Sequence, residues 1–332
     1  MKRSVQLPIV SPIYSTYHSQ GSASAIFKDN PSVSNWYYNE VMMLRCNTKF
    51  LSGYTSPEIN IEKSTFGSNP NIERIWTPTD FVGGYIHAVI HNMLDKGYYV
   101  VFYGVDDFYI KGKSWYKELH AYHDGLICGY DRNDDTYTIF AYDSNWIYRV
   151  FKVSKKDFDK GVRSAIRNGK QIGLNALKPK LEEITLDVNK VCENIGEYLD
   201  STLEKFQPDE HETVYGTVVH DYIGMYLDRL FDGTIPYGRI DKRVFRMIWE
   251  HKKVMYERMV AVEKELGIDN ELSVRYKSVV KQADNMRMLY ASHTLKQRNS
   301  VLPVIKEKLM SVKESEKQIL TEFVEKVKER IK

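Results

Sequence analysis

The stretch His120-Ala-Tyr-His123-Asp-Gly-Leu-Ile-Cys-Gly-Tyr-Asp131, followed after a short polar turn by Tyr137-Thr-Ile-Phe-Ala-Tyr-Asp143, constrains this chain more than any other. Both arms are rich in aromatic and β-branched residues, and the Arg-Asn-Asp-Asp cluster between them is turn chemistry, so the segment predicts a β-hairpin. An antiparallel hairpin brings its open ends together, which places His123 beside Asp143. A histidine held by a carboxylate is the general-base half of a nucleophile–His–Asp arrangement, because the carboxylate fixes the tautomer and stabilises the imidazolium. Asn145 is the fallback orienting residue should Asp143 point away.

The run His123-x5-Gly129-Tyr130-Asp131, with a following strand that ends in Asp143, resembles the His/Asp half of papain-like cysteine peptidases, especially the branch that processes bacteriocin leaders. A closer resemblance is to acyltransferase-like proteins of the butirosin-biosynthesis type. Val105-Asp-Asp-Phe-Tyr-Ile110 with Tyr116 is similar to that group's central strand and loop, and Ile240-Asp241-x3-Phe245-x4-Glu250-His251-Lys252-x2-Met255 to its helical half. The resemblance implies an α+β, papain-like domain with an antiparallel sheet over residues 1–180, followed by a helical bundle domain over 181–332. It also implies transglutaminase-like, amide-forming acyl transfer from a thioester on an acyl or peptidyl carrier protein to a small amine, in bacterial natural-product (nonribosomal peptide-type) biosynthesis.

Papain-like enzymes place a cysteine at the start of their first long helix, where the helix dipole lowers the thiol pKa. The matching region, Tyr14-Ser-Thr-Tyr-His-Ser-Gln-Gly-Ser-Ala-Ser-Ala-Ile-Phe27, contains none. Cys128 has the opposite strand parity to His123, and Cys192 falls on an amphipathic helix of the second half. Cys46 is therefore the candidate catalytic thiol beside His123 and Asp143, with Thr16, Ser19 and Ser22 as hydroxyl alternatives. Two function classes follow: an acyltransferase working through an acyl-enzyme, or a catalytically inert relative that binds a carrier protein or another biosynthetic partner.

Composition narrows the field. Lys and Arg number 47 against 44 acidic residues, a net charge of +3, too mild to argue for a nucleic-acid partner. Three cysteines without regular spacing make no disulfide framework and fit a reducing cytoplasm. The N-terminus lacks a signal-peptide core, and no apolar run is long enough to cross a bilayer. No Walker loop, Gly-x-Gly-x-x-Gly or Cys-x-x-Cys is present, so nothing calls for a cofactor. His87 and His91 have zinc-ligand spacing on a helix but lack an evident third ligand, and read as boundary histidines. His251 reads as a hydrogen-bonded residue on an apolar stripe.

Periodicity organises the rest. Helices are predicted from Asn35 to about Lys49, over 80–96 (capped by Thr79 or Asp80, with Val82 on its apolar face), 188–206, 213–231, 242–266 with Gly267 as its stop, 272–297, and from Pro303 to Lys332. Strands are predicted at Tyr98–Gly104 and Ile147–Val153 beside the hairpin, and 52–78 reads as loop. Each apolar stripe beyond Pro179 needs a partner surface, which a bundle supplies.

Overall fold

A computed structural model describes residues 2–27, 30–53, 55–63, 67–78, 83–180, 182–201 and 213–332. In chain order its elements are β1 (Ser4–Gln6), α1 (His18–Ala25), α2 (Pro31–Glu40), β2 (Leu44–Asn47), β3 (Ile59–Ile61), β4 (Ile72–Pro78), α3 (Ile86–Asp95), β5 (Tyr99–Asp106), β6 (Tyr122–Asp131), β7 (Thr136–Tyr142) and β8 (Tyr148–Ser154). There follow α4 (Lys155–Arg167), β9 (Gly173–Pro179), α5 (Val188–Asp200), β10 (Thr213–Tyr215), α6 (Val219–Phe231), α7 (Val244–Leu266), α8 (Glu271–Lys296) and α9 (Leu302–Ile331). The class is α+β, with an antiparallel sheet and a helical C-terminal region. Two compact units divide the chain: 1–30 with 65–182, and 31–64 with 183–332. The main boundary lies close to residue 180, and the segment 31–64 groups with the second unit.

The first unit is built on a sheet ordered β4-β9-β5-β6-β7-β8, with β1 added to β6, and every pairing is antiparallel. The predicted hairpin is β6–β7, registered Tyr130↔Tyr137 and Leu126↔Phe140. Its turn is tied by Asp131, whose Oδ1 accepts the Asn133 N–H at 2.8 Å, and closed by Asp135 at φ 49°. One face of the sheet buries Val100, Phe102, Ile127, Ile139, Val153 and Leu174 with Ile90 of α3 and Phe158 and Val162 of α4. Helix α4 starts where Ser154 Oγ accepts the Asp157 N–H at 3.1 Å. On α1, a Cβ built on Gly21 would sit 2.5 Å from the Tyr148 ring, so only glycine permits that close approach.

A β-bulge positions the site. The β5–β6 register runs Phe102↔Gly125 but resumes one residue out of step at Val105↔His123. Gly104 absorbs the slip at φ 70°, and its N–H is held by Asp124 Oδ1 at 3.1 Å. The slip turns the residues at the end of β5 and the start of β6 toward one another.

The second unit packs α6 and α7 with α8 and α9 around Ile248, Met255, Met259, Tyr276, Met286, Leu309, Val312 and Phe323, all buried. It also carries a small antiparallel sheet ordered β10-β2-β3. Helix α7 ends at Gly267 in the left-handed conformation, as its sequence predicts.

Several elements differ from the sequence reading. The helix from Asn35 does not reach Lys49: α2 stops at Glu40 and Cys46 lies on β2. The buried Arg258 of α7 caps this end: its guanidinium donates to the Tyr38 and Val41 carbonyls, which a longer helix would have used, and shares that of Tyr37 with the Val41 N–H. The stretch 52–78 is not all loop but contains β3 and β4. The start of 213–231 is strand, because Val214 pairs with Cys46, and Gly216 at φ 66° separates it from α6. The helices expected over 80–96 and 188–206 are seen as α3 and α5; residues 79–82, with Thr79, Asp80 and Val82, and residues 202–206 lie outside the described residues.

Candidate functional site

Asp106 ends β5 and Asp107 follows it, while His120 precedes β6 and His123 is its second residue. His123 Nδ1 lies 2.7 Å from Asp107 Oδ2, and His120 Nδ1 lies 2.7 Å from Asp106 Oδ2. Both carboxylates are buried. Asp106 is further fixed by Ser164 Oγ, which donates to its Oδ2 at 2.6 Å, and by the Phe108 N–H on its Oδ1 at 3.1 Å. His120 stacks on Phe108 with ring centroids 4.4 Å apart, and its side chain is half exposed.

His123 is the imidazole that faces a pocket, lined also by His18, Asp107, Lys113, Ser114, Trp115, Tyr142 and Trp146. With Nδ1 committed to Asp107, Nε2 is left to exchange a proton, the tautomer a general base requires. Lys113, 3 % exposed, ion-pairs with Asp107 Oδ1 at 3.7 Å. Burial lowers the Lys113 pKa against the pull of Asp107. Asp124 carries a carboxyl pKa raised by burial, opposed by its bond from the Gly104 N–H. The pocket is small, with a volume of about 30 Å³.

Asp143 does not hold His123. The ladder register, continued, sets the two residues across from one another, but β6–β7 pairing begins only at Leu126↔Phe140, and β6 is drawn to β5 below it. Asp143 instead organises its own loop: its Oδ1 accepts the Asn145 and Ile147 N–H groups at 2.8 and 2.9 Å, and its Oδ2 lies beside Arg149. Burial would raise its pKa, but those N–H groups and the arginine hold it low. Asn145 is exposed, and its N–H serves Asp143.

Cys46 lacks the exposure and the lowered pKa that a catalytic thiol needs. It is fully buried on β2, in the unit that does not contain His123, and burial with Glu58 pushes its thiol up to about 12. Cys128 and Cys192 are buried with thiols pushed up to about 11. Of the hydroxyl alternatives, Thr16 and Ser22 are buried, whereas Ser19 is exposed at the second residue of α1, next to His18 of the pocket. The two hydroxyls that line the pocket donate to carbonyls: Ser114 Oγ to Asp143 O at 3.1 Å and Tyr142 Oη to Ser15 O at 2.6 Å.

His87, His91 and His251 are held by their surroundings. His87 Nδ1 meets Tyr137 Oη at 2.8 Å, and His91 packs on the Tyr130 ring. No cluster of three potential metal ligands occurs among the described residues. His251 is buried, with Nε2 2.8 Å from the Met42 carbonyl oxygen. No helix among the described residues is long and apolar enough to cross a membrane.

The structure seats His123 at a pocket with Asp107, not Asp143, at its Nδ1. The available signal was the acidic pair Asp106-Asp107 ending a buried strand just ahead of His120-x-x-His123. Neither the models of protein families nor the curated proteins contain a match to this chain.

Proposed function

We propose that this chain is an amide-forming acyltransferase in which His123, oriented by Asp107, is the general base. The observation that carries the reading is the 2.7 Å His123–Asp107 pair at the wall of a pocket. The start of α1 at the same pocket, through His18, is what a papain-like arrangement requires, and the antiparallel sheet is compatible with that fold. The proposed donor is an acyl thioester borne by an acyl or peptidyl carrier protein, and the acceptor is a small amine, as in nonribosomal-type biosynthesis.

No thiol lines the pocket among the described residues, and its two hydroxyls are turned to carbonyls. The reading therefore replaces the acyl-enzyme with direct transfer. The amine nitrogen attacks the thioester carbonyl, His123 Nε2 takes the amine proton, the C–S bond breaks, and the proton passes to the departing thiolate. Product formation from an acyl-N-acetylcysteamine thioester and a panel of small amines tests it. The wild type should form amide without a protein-bound acyl adduct, and His123→Ala should not form it. An adduct lost in Ser19→Ala would replace direct transfer by a serine route.

The absence of a thiol from the pocket lining also favours a second reading, an inert relative that binds a carrier protein. Carrier binding without product from any thioester–amine combination is its signature.

A further inference from the structure

The loop after β7 displays a tryptophan at the site. Asp143 accepts the Asn145 and Ile147 N–H groups, its own N–H bonds to the Ile147 carbonyl at 3.0 Å, and its carbonyl receives both the Trp146 N–H at 3.0 Å and Ser114 Oγ at 3.1 Å. The Ser144 N–H bonds to the Gly112 carbonyl at 2.6 Å, tying this loop to the one that carries Lys113, Ser114 and Trp115. These bonds hold Trp146 at φ 58°, left-handed backbone that a bulky side chain rarely adopts. The indole is nevertheless 49 % exposed and meets Trp115 edge-to-face, with centroids 6.2 Å apart and planes at 83°. A strained backbone that presents a large apolar ring to solvent beside a His–Asp pair is arranged for something other than core packing.

The charge pattern selects the occupant. Among the residues that line the pocket, the Asp107 carboxylate is matched by the Lys113 ammonium, beside the rings of Trp115 and Trp146. We infer that Trp115 and Trp146 form an aromatic clasp for an uncharged, apolar acyl group of the substrate, holding its carbonyl at His123, with Asp143 as the positioning residue of the clasp. The inference rests on the acyl-transfer reading for the identity of the group, while binding itself is independent of turnover.

The probe is N-(2-acetamidoethyl)benzamide, an unreactive amide in place of a benzoyl thioester, compared with its 4-carboxylate by calorimetric titration of the full chain. The wild type should bind the neutral probe about tenfold more tightly than Trp146→Ala or Trp115→Ala do. Trp146→Phe should retain most of the affinity, and the carboxylate should bind more weakly. Equal affinity in wild type and both alanine variants, preference for the carboxylate, or no binding by the wild type overturns the clasp. Binding by the clasp with no turnover of any thioester sinks the acyltransferase reading alone.

Discussion

His123 Nδ1 and Asp107 Oδ2 lie 2.7 Å apart across sixteen residues of chain, and the one-residue slip at Gly104 faces the end of β5 toward the start of β6. The same carboxylate faces the buried Lys113 ammonium, so it serves a cation as well as the imidazole. Its removal therefore has two separable consequences.

His123→Ala should lower amide formation by about 10²–10⁴-fold while leaving the thermal melt near that of the wild type. Asp107→Asn should lower turnover through the wrong tautomer and also lower stability, by about 3 kcal/mol, because the buried Lys113 loses its ion-pair partner. Asp107→Asn/Lys113→Met should regain the stability and not the turnover. Urea denaturation alongside steady-state rates separates the two effects, and wild-type turnover in Asp107→Asn would remove the dyad from the mechanism.

The hairpin, the bundle helices and the Gly267 stop were legible because each is local: alternation, 3.6-residue periodicity and a left-handed cap are written within a few residues. What was not legible depends on distant partners. Where α2 stops, Arg258, more than two hundred residues away, donates to the Tyr37 and Tyr38 carbonyls of the helix and to that of Val41 beyond it. The hairpin points to Asp143 as the acid beside His123, whereas the contact is made by Asp107, which follows the strand on the other side of β6, beyond a register shift. The fate of Cys46 turned on the same kind of long-range pairing, with Ile59 and Val214 on either side of it.

Trp146 is held in left-handed backbone by its loop. Trp146→Gly should be more stable than Trp146→Ala by about 1 kcal/mol, since both lose the ring and only glycine takes that conformation without strain. Denaturant midpoints of the two variants measure the difference. A more stable alanine variant would show that the loop relaxes once the ring is gone.

Lys252 and Glu316 form a fully buried ion pair at 2.6 Å in the second unit, where Tyr198 Oη also donates to Glu316 at 2.8 Å and Tyr276 donates to its other oxygen. Lys252→Met should cost about 3–5 kcal/mol by leaving the carboxylate unpaired. Glu316→Gln should cost a similar amount by leaving the ammonium unpaired, while the amide oxygen still accepts from a tyrosine. Lys252→Met/Glu316→Gln should cost much less than the sum of the two. A double-mutant cycle in urea reads the coupling directly, and strict additivity would contradict the pairing.

His220 stands against the same pair, fully buried, with Nδ1 2.9 Å from the Thr217 carbonyl and Nε2 3.9 Å from Glu316. Burial, and after it the Lys252 ammonium, lower its pKa to about 4 against the opposing pull of Glu316. In the unfolded chain the imidazole titrates near 6.5. As pH falls from 6.5 toward 4 the unfolded state takes up a proton that the folded state refuses, so stability is complete above that window and declines through it. At pH 5 the loss attributable to His220 is on the order of 2 kcal/mol. The buried His251, its pKa lowered by burial and then by Lys252, acts in the same direction. Urea midpoints of the wild type should therefore fall between pH 7 and pH 5, and His220→Gln, which has no proton to gain, should show a distinctly shallower decline. An unchanged slope in that variant would mean that the imidazole titrates alike in both states.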